Sequence, residues 1–301
     1  MGRGTGVVQL VREYDEPDAV PGPPLPLGER IELEGRGTTF ARCIPGPADA
    51  PTVLLIHGWL ASGGLNWFQT FDDLRGTHGV VAPDLRGHGR GIRSRRRFRL
   101  ADCADDLAAL IDHLDCGPVV AVGYSMGGPV AQLLWKRHPE KVAGLVFAAT
   151  SSSFVVGTRE RFIFTSAMAA AAGGTRAGQQ LTRLPIRALR ERIPTDAPGR
   201  PASMGRWAAA EMRRHNPRTI LEAGQAIGNY NARRWVGSID VPTSCLVTTR
   251  DLAIRPPEQA RLAFAISGAS VHRIEDGHAA CARPGFGSAV RTAVDDVVSR
   301  I

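Results

Sequence analysis

The sequence predicts an α/β fold with a mostly parallel, doubly wound sheet, and three observations carry that expectation. First, the apolar runs "TVLLIHG" (52–58), "GVVAPD" (79–84), "PVVAVGY" (118–124) and "VAGLVFAAT" (142–150) are continuous rather than alternating, as strands covered on both faces require. Second, stretches with helical spacing separate them, most clearly "LADCADDLAALIDHL" (100–114). Strand and helix in alternation make βαβ units and hence parallel pairing. Third, the run at 118–124 stops at a serine between glycines, and a helical stretch ending in "LLWKRHPE" follows at once.

Taken in order, residues 1–30 are rich in Pro and Gly and are expected to form an irregular arm. "RIELEG" and "TTFARCI" read as two strands of a hairpin turning at Gly35–Gly37. After "PGPADAP" come the buried strand at 52–58, helical spacing in "NWFQTFDDL", the strand at 79–84 and the helix at 100–114. The strand at 118–124, a helix from "MGGPVAQLL" and the strand at 142–150 complete six strands. The rhythm then breaks: residues 151–238 hold helical stretches around 159–172, 202–215 and 218–230 with no clear strand. Alternation resumes with "TSCLVTT", "PPEQARLAFAI", "SVHRI" and a last helix, "GFGSAVRTAVDDVVS". The expected organisation is a core of 31–150 and 239–301 with a helical cap, 151–238, inserted after the sixth strand.

Composition narrows the function classes. The content of 43% hydrophobic and 22% charged residues is that of a chain able to build a sizeable core. No window approaches the roughly 20 apolar residues a bilayer crossing needs; the longest, "FIFTSAMAAAA" (162–172), is short and mostly alanine. Glu13, Asp15 and Glu16 stand where a signal peptide would have its apolar segment, so a cytoplasmic protein is expected. Five scattered cysteines, without a C-x-x-C pair, read as free thiols in a reducing compartment. No H-E-x-x-H or Cys/His cluster suggests a metal, and neither "GRGTG" nor "GHGRG" has the context of a phosphate-binding loop. The formal charge of +8 comes from arginine, Lys136 and Lys141 being the only lysines. Its densest run, "RGIRSRRRFR" (90–99), carries one aromatic and no nucleic-acid module around it. A solvated loop is the expected reading of Arg93–Arg99, with a weakly bound anionic lipid surface as the alternative.

Gly123-Tyr124-Ser125-Met126-Gly127 is a G-x-S-x-G pattern, and its value lies in its context. It closes a strand and opens a helix, so its glycines can form a tight turn that lifts the serine hydroxyl above the sheet. The helix N-terminus adds free N–H groups and a positive dipole end, which favour an oxyanion.

With "LLIHGW" and "VVAPDLRGHGRG" upstream and "AVGYSMGG" here, the chain from about residue 31 onward resembles an α/β-hydrolase. It is similar to the capped esterases, lipases and cofactor-free haloperoxidases. The resemblance implies a nucleophile, base and acid in the chain order Ser…Asp…His. Eight histidines compete for the base. His57 belongs to the oxyanion loop of the resembled family, His88 to a turn near the site, and His78 precedes a strand. His113, His138 and His215 read as helical or loop surface, and His272 alternates on a strand. His278, in "IEDGHAAC" between the last strand and the last helix, stands where the family's base stands. Asp251, just after the strand at 243–249, is the expected acid. Asp276 is its rival, and a cap or a salt bridge to Arg250 or Arg255 is the bland alternative for Asp251. Asp84 fits a structural role in the family's turn beneath the site.

The resemblance further implies an oxyanion hole from the backbone N–H groups of Met126 and Trp59, with Trp59 and Tyr124 bordering the substrate. The expected reaction is hydrolysis of a carboxylic ester of a small-to-medium hydrophobic substrate by Ser125, His278 and Asp251, using water and no cofactor. Thioester or C–C hydrolysis, perhydrolysis and acyl transfer use the same groups. A ligand-binding protein without catalysis is the alternative from another class.

Overall fold

A computed structural model describes residues 9–11, 20–154, 165–173 and 204–301. Parts of the arm and of the expected cap, including the first residues of the helix expected around 159–172, lie outside the described residues. Nine strands form one sheet: β1 (Gln9–Val11), β2 (Gly28–Leu33), β3 (Gly37–Ile44), β4 (Val53–Ile56), β5 (Val80–Pro83), β6 (Val119–Tyr124), β7 (Val142–Ala148), β8 (Thr243–Thr248) and β9 (Ser270–Ile274). Their order across the sheet is β1-β2-β3-β5-β4-β6-β7-β8-β9. β1, β2, β3 and β5 pair antiparallel, and from β5 through β4 to β9 every pairing is parallel.

Two sequence expectations need correction here. The arm contributes a short edge strand, with Leu10 opposite Glu29, although its Pro and Gly content reads as irregular. The helical stretch that breaks the alternation therefore follows the seventh strand, not the sixth. "NWFQTFDDL" also divides into two short helices, α1 (Gly63–Trp67) and α2 (Phe71–Leu74).

The long helices are α3 (Leu100–Leu114), α4 (Gly127–Arg137), α7 (Pro217–Asn229), α8 (Pro256–Ala265) and α9 (Phe286–Val298). Residues 165–173 form α5, and Met204–Arg213 forms α6. β4, β5, β6 and β8 are buried at every position; the first three run apolar without alternating, as strands covered on both faces do, while β8 also buries Thr243, Ser244 and Thr248. One core cluster packs α3, α4 and α8 on one face of the sheet; a second packs α1, α2 and α9 on the other. Within β6 the faces alternate: Val119 and Ala121 belong to the first cluster, Val120, Val122 and Tyr124 to the second.

This topology positions a site. The loops after β4, β6, β8 and β9 all leave the carboxyl ends of parallel strands, hence the same edge of the sheet, where open α/β sheets bind ligands. No described helix is long and apolar enough to cross a membrane.

Candidate active site

Ser125 follows β6 directly and has φ of 50°, a left-handed conformation that a residue with a β-carbon adopts only under constraint. Its N–H donates to the Ala148 carbonyl (3.0 Å), and its own carbonyl accepts from the Thr150 hydroxyl (2.7 Å). β7 thus pins the turn from the side. The flanking glycines are there for space: a β-carbon on Gly127 would lie 2.1 Å from the Ile56 carbonyl oxygen, and one on Gly123 would lie 2.5 Å from the Gly127 oxygen. Neither contact is survivable without moving backbone.

The three residues that the sequence singles out from distant segments meet here. Ser125 Oγ lies 3.0 Å from His278 Nε2, and His278 Nδ1 lies 2.8 Å from Asp251 Oδ2. Asp251 is 1% exposed. Its Oδ1 accepts the N–H groups of Ala253 and Ile254, both at 2.8 Å, and its Oδ2 also accepts from the Thr248 hydroxyl (2.9 Å). Burial pushes this carboxyl up, but the His278 hydrogen bond, the Ile254 N–H, the His278 charge and the Thr248 hydroxyl outweigh it and hold it below the usual range. It is ionised at neutral pH and acts as an acceptor for His278 Nδ1–H. The rival Asp276 accepts from Gly277 N–H (2.7 Å) and pairs with Arg283 at 3.8 Å. Arg250 pairs with Glu275, which leaves Asp251 to the imidazole.

Met126 precedes the first turn of α4, where N–H groups have no intrahelical acceptor. On the other side of Ser125 is the loop after β4. A β-carbon on Gly58 would sit 3.3 Å from Ser125 Cβ, so this loop lies against the Ser125 turn. His57 fixes its shape: Nε2 accepts the Leu85 N–H (2.8 Å), which places the ring proton on Nδ1, and Nδ1 donates to the Gly58 carbonyl (2.7 Å). The C=O of Gly58 and the N–H of Trp59 share one trans peptide and point in opposite directions. Holding the carbonyl therefore aims the Trp59 N–H.

Trp59 is half-buried; its indole N–H donates to the Ile220 carbonyl of α7 (2.9 Å). Its ring and Met168 of α5 close on Gly224, where a β-carbon would meet Trp59 Cζ2 at 2.8 Å and Met168 Sδ at 3.3 Å. The helices between β7 and β8 thus rest on the loop beside Ser125. Glu211 of α6 ties them further: fully buried, it accepts from Ser62 Oγ and Arg90 Nη1, both at 3.1 Å.

Tyr124 departs from the sequence expectation of a substrate contact. It is 3% exposed, lies in the second core cluster against Trp67 and Phe286, and donates its hydroxyl to the His278 carbonyl (2.6 Å). It steadies the His278 loop from beneath. Asp84 does what its motif suggests, accepting from Gly63 N–H and Arg90 N–H at 2.7 Å each. His215, read as surface, is instead half-buried in the turn between α6 and α7: its Nδ1 accepts the Gly89 N–H (2.8 Å) and its ring lies 5.5 Å from that of His88. The Arg93–Arg99 run lies along α7, where Arg218 donates to the Ser94, Arg95 and Arg96 carbonyls. Among the described residues no group of three or more His, Cys, Asp or Glu is disposed to hold a metal.

The His57–His88 pair carries a stability prediction. Burial pushes His57 down to about 3 and His88 well below its usual 6.5. Folded, both stay neutral at pH values where unfolded imidazoles take up protons. Their contribution is complete above about pH 6.5 and is lost as pH falls below it, by up to about 1.4 kcal/mol per pH unit for each histidine. Urea melts between about pH 7 and pH 5 should show this slope, reduced in His88→Asn. A flat profile would contradict it.

A family model for the alpha/beta hydrolase fold matches residues 51–281. The chain belongs to the alpha/beta hydrolase fold family. It is similar to the pimeloyl-[acyl-carrier protein] methyl ester esterase of Neisseria meningitidis, 33% identical over 217 residues that cover 70% of this chain and 78% of that protein. It is 37% identical to the magnesium-chelatase 30 kDa subunit of Rhodobacter capsulatus over 114 residues, 37% of this chain and 40% of that one's length. Among solved structures, a Pseudomonas aeruginosa hydrolase superposes with TM-score 0.68 at 21% identity, covering 96% of this chain and 97% of that one. An enol-lactonase from Burkholderia xenovorans gives TM-score 0.67 at 20% identity, covering 90% and 99%.

Proposed function

We propose that this alpha/beta hydrolase cleaves carboxylic esters with a hydrophobic acyl or alcohol portion through an acyl-enzyme on Ser125. The observation that carries the reading is the relay Ser125 Oγ···His278 Nε2 (3.0 Å) and His278 Nδ1···Asp251 (2.8 Å), with the serine on a constrained turn. A serine hydroxyl is a weak nucleophile at neutral pH and needs a base within hydrogen-bond reach, itself oriented by a third group.

The steps follow from those positions. Ser125 Oγ attacks the ester carbonyl while its proton passes to His278 Nε2, and Asp251 stabilises the imidazolium through Nδ1–H. The N–H groups of Met126 and Trp59 bind the oxyanion. The C–O bond to the alcohol breaks as His278 returns the proton to the leaving oxygen. Water then gives a proton to His278 and attacks the acyl carbon; the bond to Ser125 breaks as His278 passes that proton to Oγ, releasing the acid and the free serine. No cofactor enters. The relative that hydrolyses a methyl ester supports the choice of bond, and Trp59 with Met168 and the cap helices supports an apolar pocket.

A fluorophosphonate probe tests the reading. Incubation of wild-type protein should add one phosphonyl group, found on the peptide that contains Ser125, and abolish turnover of 4-nitrophenyl esters. Folded wild-type protein that takes no label would refute it. Refusal of a graded ester panel with turnover of a thioester would move the bond assignment and leave the nucleophile in place.

A further inference from the structure

We propose that Asn66 is a positioning residue for the oxyanion hole, and that it serves because it is an uncharged acceptor. The inference rests on the serine-hydrolase reading and goes beyond it to a residue that no motif marks.

Asn66 lies in α1, 2% exposed. Its Oδ1 accepts the N–H of Gly58 at 2.9 Å. The same glycine is the meeting point of site and support: a β-carbon there would be 3.3 Å from Ser125 Cβ and 3.5 Å from Asn66 Oδ1. The loop is thus clamped on two successive peptides. His57 holds the Gly58–Trp59 peptide by its carbonyl, and Asn66 holds the His57–Gly58 peptide by its N–H. Fixing both planes fixes the direction of the Trp59 N–H.

The clamp stands on a rigid base. Ser62 caps α1: its hydroxyl accepts the Leu65 N–H and donates to buried Glu211, while Gly63 N–H is held by Asp84. Asn66 carries this rigidity to the loop.

The second half of the proposal comes from an imbalance. Asn66 Nδ2 is buried with no hydrogen-bond partner, and a stranded buried donor is costly. Aspartate would accept the same N–H more strongly and leave no donor stranded. It would also place a negative charge beside the point where the oxyanion forms. Asn66 and Ser125 are both buried and only Gly58 stands between them, so like charges there repel strongly. The asparagine accepts the stranded donor and keeps the charge out.

Asn66→Ala and Asn66→Asp test both halves with 4-nitrophenyl butyrate as substrate and an alkyl trifluoromethyl ketone as oxyanion-forming inhibitor. Each variant should lose about ten- to hundredfold in kcat with KM changed less than about threefold, and bind the ketone more weakly by the same factor as kcat. A purely structural residue would lower Tm without that matched loss. Asn66→Asp, which keeps the acceptor, decides if Asn66→Ala does not fold. Wild-type kcat in folded Asn66→Asp, or a rise in KM alone, overturns the proposal. Wild-type protein that neither labels nor turns over ester removes the parent reading and this inference with it.

Discussion

Ser125→Ala is expected to lower kcat on a short-chain ester by about a millionfold, the scale of losing a nucleophile from a relay whose members act as a unit. With alanine there is no atom 3.0 Å from His278 Nε2 to attack the carbonyl. The N–H groups proposed for the oxyanion belong to the backbone of Met126 and Trp59 and remain in place. The variant should therefore keep about 10^3- to 10^4-fold rate enhancement over water, and a KM close to that of the parent. Folding should change little, because φ of 50° is as unfavourable for alanine as for serine. Single-turnover kinetics on rigorously purified protein would measure the residue of activity. A loss of only a few-fold would mean that another group attacks, and the acyl-enzyme scheme would fall.

How much of this was legible in the sequence depended on whether a signal was local. Strands buried on both faces announce themselves as unbroken apolar runs, so β4 through β7 are legible in the sequence alone. Ser125 was legible because a serine between glycines, at the end of such a run, has few structural reasons to be there. Asp251 and His278 followed from the chain order of the family and from their places after β8 and β9. Tyr124, expected beside the substrate, carries the contrary signal in its own strand. Val120, Val122 and Tyr124 alternate onto one face of β6, and that face packs on α9 and α1. Continued to the motif itself, the period-two pattern of β6 puts Tyr124 on that core face. His215 and Asn66 lacked any such signal. His215 meets Gly89 across 126 positions of sequence, and a single asparagine in a five-residue helix has no pattern that reveals what it holds. The edge strand at Gln9–Val11 was hidden by its surroundings, since Pro and Gly on either side predict turns whatever a three-residue pairing does between them.

Asp251→Asn is expected to lower kcat by about 10^4-fold while the protein stays folded. The side chain is 1% exposed, so the amide must occupy the carboxylate's place. One end accepts the N–H groups of Ala253 and Ile254 and has to remain oxygen. The other end, now NH2, faces His278 Nδ1 and the Gln259 amide. Two donors cannot share one hydrogen bond, so the imidazole must move its proton to Nε2 to accept at Nδ1. In that tautomer Nε2 donates toward Ser125 and cannot take the serine's proton. The geometry survives and the base is lost. Stability should fall modestly at neutral pH, because the carboxyl is held below its unfolded value of 3.8 and so stabilises the fold above that pH; the benefit is lost as pH falls through the folded value. The difference in Tm between the parent and the variant should therefore shrink toward acid pH. Nitrogen NMR of the imidazole would report the proton on Nε2 directly. Asp276→Asn is the control, with kcat within about threefold of the parent. If the control lost activity while Asp251→Asn kept it, the acid would be Asp276, and the hydrogen bond from His278 Nδ1 to Asp251 would have no part in the chemistry.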